Sequence, residues 1–91
     1  MQFDWDQANE EHIALHRIGR AEVEQALSDP FAELVDSQEV DGEERFSQLG
    51  ATFRGRLLVV AFTIRKDLVR PITAFDPDPF TARLYREGNQ S

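Results

Sequence analysis

The densest apolar stretch of the chain is Leu57 to Phe62, inside the segment Arg56–Arg65 (RLLVVAFTIR). Six consecutive apolar residues predict a strand buried on both faces, hence a central one, with helices on one side and another element on the other. Around it the hydrophobic period is two. Glu33–Ser37 and Glu44–Leu49 predict strands joined by an Asp41-Gly42 turn, and Ala51–Gly55 predicts the turn into the central strand. Lys66-Asp67 then turns the chain into a last strand, Leu68–Ala74. Pro71 has no amide hydrogen for a ladder, so this strand lies at an edge or is interrupted there.

The first thirty residues follow other rules. Phe3 and Trp5 alternate with Asp4 and Asp6, which predicts a short opening strand. The Asp6 carboxylate can accept from the free amides of a first turn, capping a helix that reaches about His16. A second helix is expected over Arg20–Leu27, with Gly19 at its N-cap, Val23, Ala26 and Leu27 as its apolar stripe, and Asp29-Pro30 as its stop. At the other end Asp78-Pro79 pairs an N-cap with a proline at the first helical position. Phe80 and Leu84 then share a face, and Gly88 closes the helix. The predicted order is β-α-α-β-β-β-β-α. It describes an α+β fold: two N-terminal helices packed on an antiparallel sheet of about four strands, with a short C-terminal helix.

Length permits only one such unit. The chain has 91 residues and neither a repeat nor a linker-like tract, so residues 1–91 are expected to form a single domain. It contains no cysteine, which removes disulfides, thiolate zinc sites and a cysteine nucleophile together. The six-residue apolar run is too short for a membrane span, and the acidic start (Met1-Gln2-Phe3-Asp4-Trp5-Asp6) does not resemble a signal peptide. A cytoplasmic protein without membrane contact is the expectation.

The net charge of −7 argues against a nucleic-acid partner until its distribution is considered. Residues 1–44 hold 13 acids against Arg17 and Arg20, whereas residues 45–91 hold four acids against eight bases, seven of them Arg. Either this is an ordinary mixed surface, or the second half carries a basic face for phosphate or for an acidic partner. Arg45, Arg56, Arg65 and Arg70 lie on predicted strands or strand ends, where a sheet can gather several onto one face. Individually each is better read as a solvated side chain or as the partner of a carboxylate, whereas as a set a functional face is equally well supported. His12 and His16 stand four apart on the first helix. Without a third ligand, that spacing favours partly buried packing over a zinc pair, with acid–base work between the two. Trp5, flanked by acids that would repel RNA, is expected in the core rather than against a base.

The whole series has a familiar order: Phe3-Asp4-Trp5-Asp6, Asn9, His12 and His16, Asp29-Pro30, Gly42-Glu43-Glu44-Arg45-Phe46, Leu49-Gly50, Gly55-Arg56-Leu57-Leu58-Val59-Val60, Phe62-Thr63 to Arg65, Arg70 before Ile72-Thr73-Ala74, and Tyr85. It resembles the BrnT-type toxins, small ribonucleases of bacterial type II toxin–antitoxin pairs with a RelE-like fold. The resemblance implies metal-independent RNA cleavage, no cofactor, and a cognate antitoxin as partner. It departs from the family at Phe75, where members usually carry Arg, at Arg17, where Gly is common, and in a final helix thinned of its basic residues.

Cleaving RNA without a metal requires activating a 2′-hydroxyl, stabilising a charged phosphorane and protonating the leaving 5′-oxygen. Arg suits the second task; Glu44 or Tyr85 suits proton transfer. The expected catalytic set is therefore Arg45, Arg65, Arg70, Tyr85 and His16, the last on the strength of the resemblance. Arg54, Arg56, Arg83 and Arg86 are expected to bind RNA. The alternative is a catalytically degenerate fold of the same type that serves as a protein-binding module.

Overall fold

A computed structural model describes residues 1–88. Helices α1 (Gln7–Ala14) and α2 (Arg20–Leu27) precede strands β1 (Glu33–Val40), β2 (Glu43–Ala51), β3 (Leu57–Arg65) and β4 (Leu68–Phe75), and α3 (Pro79–Gly88) follows. The strands form one antiparallel sheet in the order β1-β2-β3-β4. The α+β architecture is the expected one, with the apolar run as an interior strand and the Pro71 strand at an edge.

Alternation along β3 divides the sheet into two faces. Leu58 and Val60 are fully buried beneath α1 and α2, in a core with Ile13, Ile18, Val23, Ala26, Leu27 and Ala74. Each large aliphatic side chain buried this way contributes roughly 1.5–3 kcal/mol. Gly50 lies on the same face. A Cβ there would collide with the carbonyl of Ala26, so the absent side chain is what lets α2 sit directly on β2. Leu49 and Val59, which alternate to the opposite face, are buried as well. Beyond β4 the chain enters α3, which touches β2, the strand of Leu49, and reaches Asp29, ahead of β1, through Tyr85. Leu49 and Val59 belong to the cross-strand row Glu33–Leu49–Val59–Phe75.

Local chemistry explains the boundaries. Asp41 and Gly42 have φ of 52° and 78°, and Lys66 and Asp67 have 51° and 65°. Two successive positive values give a turn whose twist matches that of the flanking strands. Asp6 accepts from the Asn9 amide at 3.1 Å, and the Asn9 side chain accepts from the Asp6 amide at 2.8 Å. This closes a capping box on α1. Asp78 caps α3 through the Thr81 amide at 2.7 Å.

Several details differ from expectation. The opening strand shrinks to one parallel bridge, Phe3 to Val69, held by two backbone hydrogen bonds of 2.9 Å on the outer edge of β4. α1 ends at Ala14 rather than His16, because a turn with Arg17 at φ 58° swings Ile18 into the core. β1 continues to Val40, since Gln38, Glu39 and Val40 pair with Arg45, Glu44 and Glu43 up to the tight turn. The β3–β4 register slips between Ala61 and Phe62, opposite Thr73 and Pro71, so the ladder shifts beside the proline that cannot donate to it. His12 and His16 are both exposed, not packed. Trp5 does lie against the core, with its indole N–H donating to Glu24 at 2.8 Å and the Arg20 guanidinium 5.4 Å from the ring centre.

Candidate functional site

Three arginines expected at the site come from three adjacent strands. Arg45 of β2, Arg65 of β3 and Arg70 of β4 line one open cleft of about 290 Å³, closed on its helical side by Ala8, Asn9 and His12 of α1. The shifted register and the Asn9 side chain bring these elements together. Asn9 is buried and donates to the carbonyls of Asp4 and Pro71, each at 3.0 Å, tying the start of α1 to the edge strand. His12 stands one turn further along α1 and faces the same space.

Acids balance part of this charge. Glu43, on the cleft wall, accepts from Nε and Nη2 of Arg65 at 2.9 and 3.4 Å. The Arg65 hydrogen bond holds the Glu43 carboxyl below its ordinary range and raises the Arg65 guanidinium in turn. Arg70 is mostly buried and meets Asp6 at 2.9 Å and Asp4 at 3.4 Å. Asp6 is lowered by the Asn9 amide first and by Arg70 next. Arg45 is exposed and forms no ion pair among the described residues. A guanidinium has five N–H donors, so Arg65 and Arg70 keep donors beyond those their acids occupy. The cleft presents three fixed positive charges and an imidazole around space wide enough for a phosphodiester.

The other expected residues lie elsewhere. Arg56 precedes β3 at the far end of the sheet and is locked. It contacts Asp76 at 3.0 and 3.1 Å, Glu22 at 3.1 and 3.4 Å and the Arg17 carbonyl at 3.1 Å. Its guanidinium is held further protonated, by Asp76 first and then Glu22. His16 belongs to the turn after α1, on the side of Asp76, whose carboxyl is held low by the Arg56 hydrogen bond first and by His16 last. Arg54 is exposed in the β2–β3 turn, while Arg83 and Arg86 are exposed on α3.

Tyr85 donates to Asp29 at 2.7 Å. Burial, and then that hydrogen bond, push the phenol up to about 12. Burial alone would raise Asp29, but donors from Tyr85 and from the Phe31 and Ala51 amides outweigh it and hold the carboxyl low. A phenol shifted in that direction is a weak proton acceptor near neutrality. Glu44 is exposed, and its backbone carbonyl accepts from the Thr63 hydroxyl at 2.8 Å.

Sequence reading missed His12, Glu43 and the carboxylates of Asp4 and Asp6 as neighbours of the arginines. The His12/His16 spacing was visible, but only the end of α1 separates the two. No third ligand joins either one: no group of three His, Cys, Asp or Glu able to hold a metal occurs among the described residues. No helix among those residues is long and apolar enough to cross a membrane.

No curated protein matches the chain. The family model for the ribonuclease toxin BrnT of type II toxin–antitoxin systems matches residues 5–77, a span that holds the whole cleft and stops short of α3. With most of its length matched, this chain belongs to the BrnT family of ribonuclease toxins.

Proposed function

We propose that the chain is an endoribonuclease toxin of RelE-like build that binds and cuts RNA in the Arg45–Arg65–Arg70 cleft without a metal, and is restrained by a cognate antitoxin in the cytoplasm. The observation that carries this reading is the convergence of three arginines from three strands, with His12, on one open space. The 2′-hydroxyl of the substrate attacks the adjacent phosphorus and yields its proton. Charge builds on the non-bridging oxygens, and the bond to the 5′-oxygen breaks as that oxygen takes up a proton. Fixed guanidinium donors stabilise the phosphorane more than the ground state, which is where rate enhancement arises. Imidazole is the side chain suited to moving both protons near neutral pH, and His12 is the histidine beside the arginines. Arg54, Arg83 and Arg86 serve as outlying phosphate contacts, while Arg56, His16 and Tyr85 act in the framework.

The acidic surface of α1 and α2 attracts a basic segment of the antitoxin, speeding association more than it tightens it. One observation favours the alternative of a non-catalytic binding module: Glu43, Asp4 and Asp6 already engage two of the three arginines. The deciding experiment is RNA cleavage by the purified chain in EDTA, beside Arg45→Ala and an Arg65→Ala, Arg70→Ala double variant. Cleavage that both variants lose supports the nuclease. Equal cleavage by all three points to a contaminant, and a folded chain that cleaves nothing supports the binding module.

A further inference from the structure

The face of the sheet opposite α1 and α2 has two unlike banks. One is the end of the sheet that carries Arg45, with Gln38 directly across from it on β1. The other is apolar. Ala74 is fully buried in the helix-side core, so its neighbour Phe75 alternates to the opposite face, in register with Val59. Phe75 keeps 40% of its surface exposed, and Phe80 at the start of α3 keeps 69%. Between the banks runs the row Asp36–Ser47–Ala61–Thr73. Asp36, Ser47 and Ala61 line a shallow hollow of about 190 Å³ that opens onto Arg45. Phe75 on β4 lies four residues along and two strands across from Arg45 on β2, about 16 Å between backbones, a span for a strand of two to three nucleotides.

We propose that Phe75 is the base-stacking platform of the RNA site, seating one base of a single-stranded RNA that has a phosphate further along the strand on Arg45. This rests on the cleft being the RNA site. A guanidinium on one bank and an exposed ring on the other match a short single strand, whose phosphates are anions and whose bases offer π-faces. A duplex does not fit, because its bases stack on one another and offer no free face to the ring. Phe75 is therefore a specificity residue, selecting unpaired RNA while the arginines supply charge. Asp36, whose carboxylate accepts from Gln38 at 2.8 Å, lies between the banks and repels a phosphate placed there.

The test uses the full chain and a short 2′-O-methyl RNA, which binds but offers no attacking hydroxyl, beside an abasic strand of the same length and charge. Wild type should prefer the strand with bases by about tenfold, Phe75→Leu should lose that preference, and Phe75→Trp should keep it. The added indole of Phe75→Trp should also lose fluorescence on binding, over and above the wild-type signal from Trp5. Equal preference in wild type and Phe75→Leu, with matching urea midpoints, overturns the proposal. So does Phe75→Leu weakening antitoxin binding alone, which would make this face a protein contact. Arg45→Ala separates the two levels. If it weakens both strands equally while Phe75→Leu changes nothing, the cleft stands and the stacking role fails; if it changes neither strand, the cleft itself is misassigned.

Discussion

Arg56 and Arg65 bracket the same strand, yet the two ends of β3 treat them differently. Arg56 is held by Glu22 of α2, by Asp76 beyond β4 and by the carbonyl of Arg17. Three separate parts of the chain converge on it, so its donors are committed and its displacement would loosen all three. Among the described residues Arg65 has one acidic ion-pair partner, Glu43, on the neighbouring strand, and it sits beside Arg45 and Arg70 in open space. Charge and residue type are identical. What separates a framework arginine from an available one is how many elements share it, and whether a positive charge with no acid of its own, here Arg45, stands beside it.

The comparison can be broken at either end. The largest effect is expected from Arg45→Ala, which should lower kcat for RNA cleavage by about 100-fold, in line with losing one preorganised donor. Its urea midpoint should match wild type, since no ion pair is lost; a matching fall in stability would place Arg45 in the framework instead. Arg56→Ala should do the reverse. Loss of its shared contacts should cost about 1–2 kcal/mol, a figure reduced by solvent screening around the exposed Asp76, while RNA affinity stays unchanged. Denaturant unfolding and a binding titration on the same preparation decide between them.

Tyr85→Phe tests whether α3 is pinned rather than chemically active. It should cost about 1 kcal/mol near neutral pH and leave cleavage intact. Because the folded phenol is raised to about 12, its contribution is fully present below the unfolded value near 10 and is lost as pH rises from about 10 to 12. Wild type should show that alkaline decline, and Tyr85→Phe should not.

The smallest effect belongs to Glu43→Gln. Removing the carboxylate from Arg65 should tighten phosphate binding a few-fold at low salt, with the gain fading as salt rises. Glu43 is held low in the folded chain. Its pairing is therefore present above the unfolded carboxyl value and lost as pH falls through the folded one, so the variant should resemble wild type in acid.

Much of the frame was legible because its signals are local. Asp41-Gly42 announces a turn by residues that tolerate positive φ, Lys66-Asp67 by a charged break between two apolar runs, and Asp78-Pro79 announces a helix start. Leu57–Phe62 announces an interior strand by being apolar on both faces. Arg45, Arg65 and Arg70 were legible as candidates because all sit on strands or strand ends. Their company was not. Asp6 reaches Arg70 across 64 positions, and no periodicity within a window carries that information. The same limit hid the choice between His12 and His16, which depends on where α1 stops, and that in turn depends on Ile18 finding the core. Arg56 looked like its neighbours in sequence, and only the arrival of Glu22 and Asp76 from distant segments sets it apart.

The parallel bridge of Phe3 to Val69 has a practical consequence. It places the first six residues along the one sheet edge that flanks the cleft, with Asp4 and Asp6 gripping Arg70. Deleting residues 1–6 would uncover a strand edge able to recruit another chain, and would release a guanidinium in the same stroke. Such a shortened protein should be stickier and more avid for anions at once. A purification handle fused tightly to Met1 would press on the same spot, so a preparation that clumps or binds RNA indiscriminately would be reporting on the cloning junction rather than on the toxin.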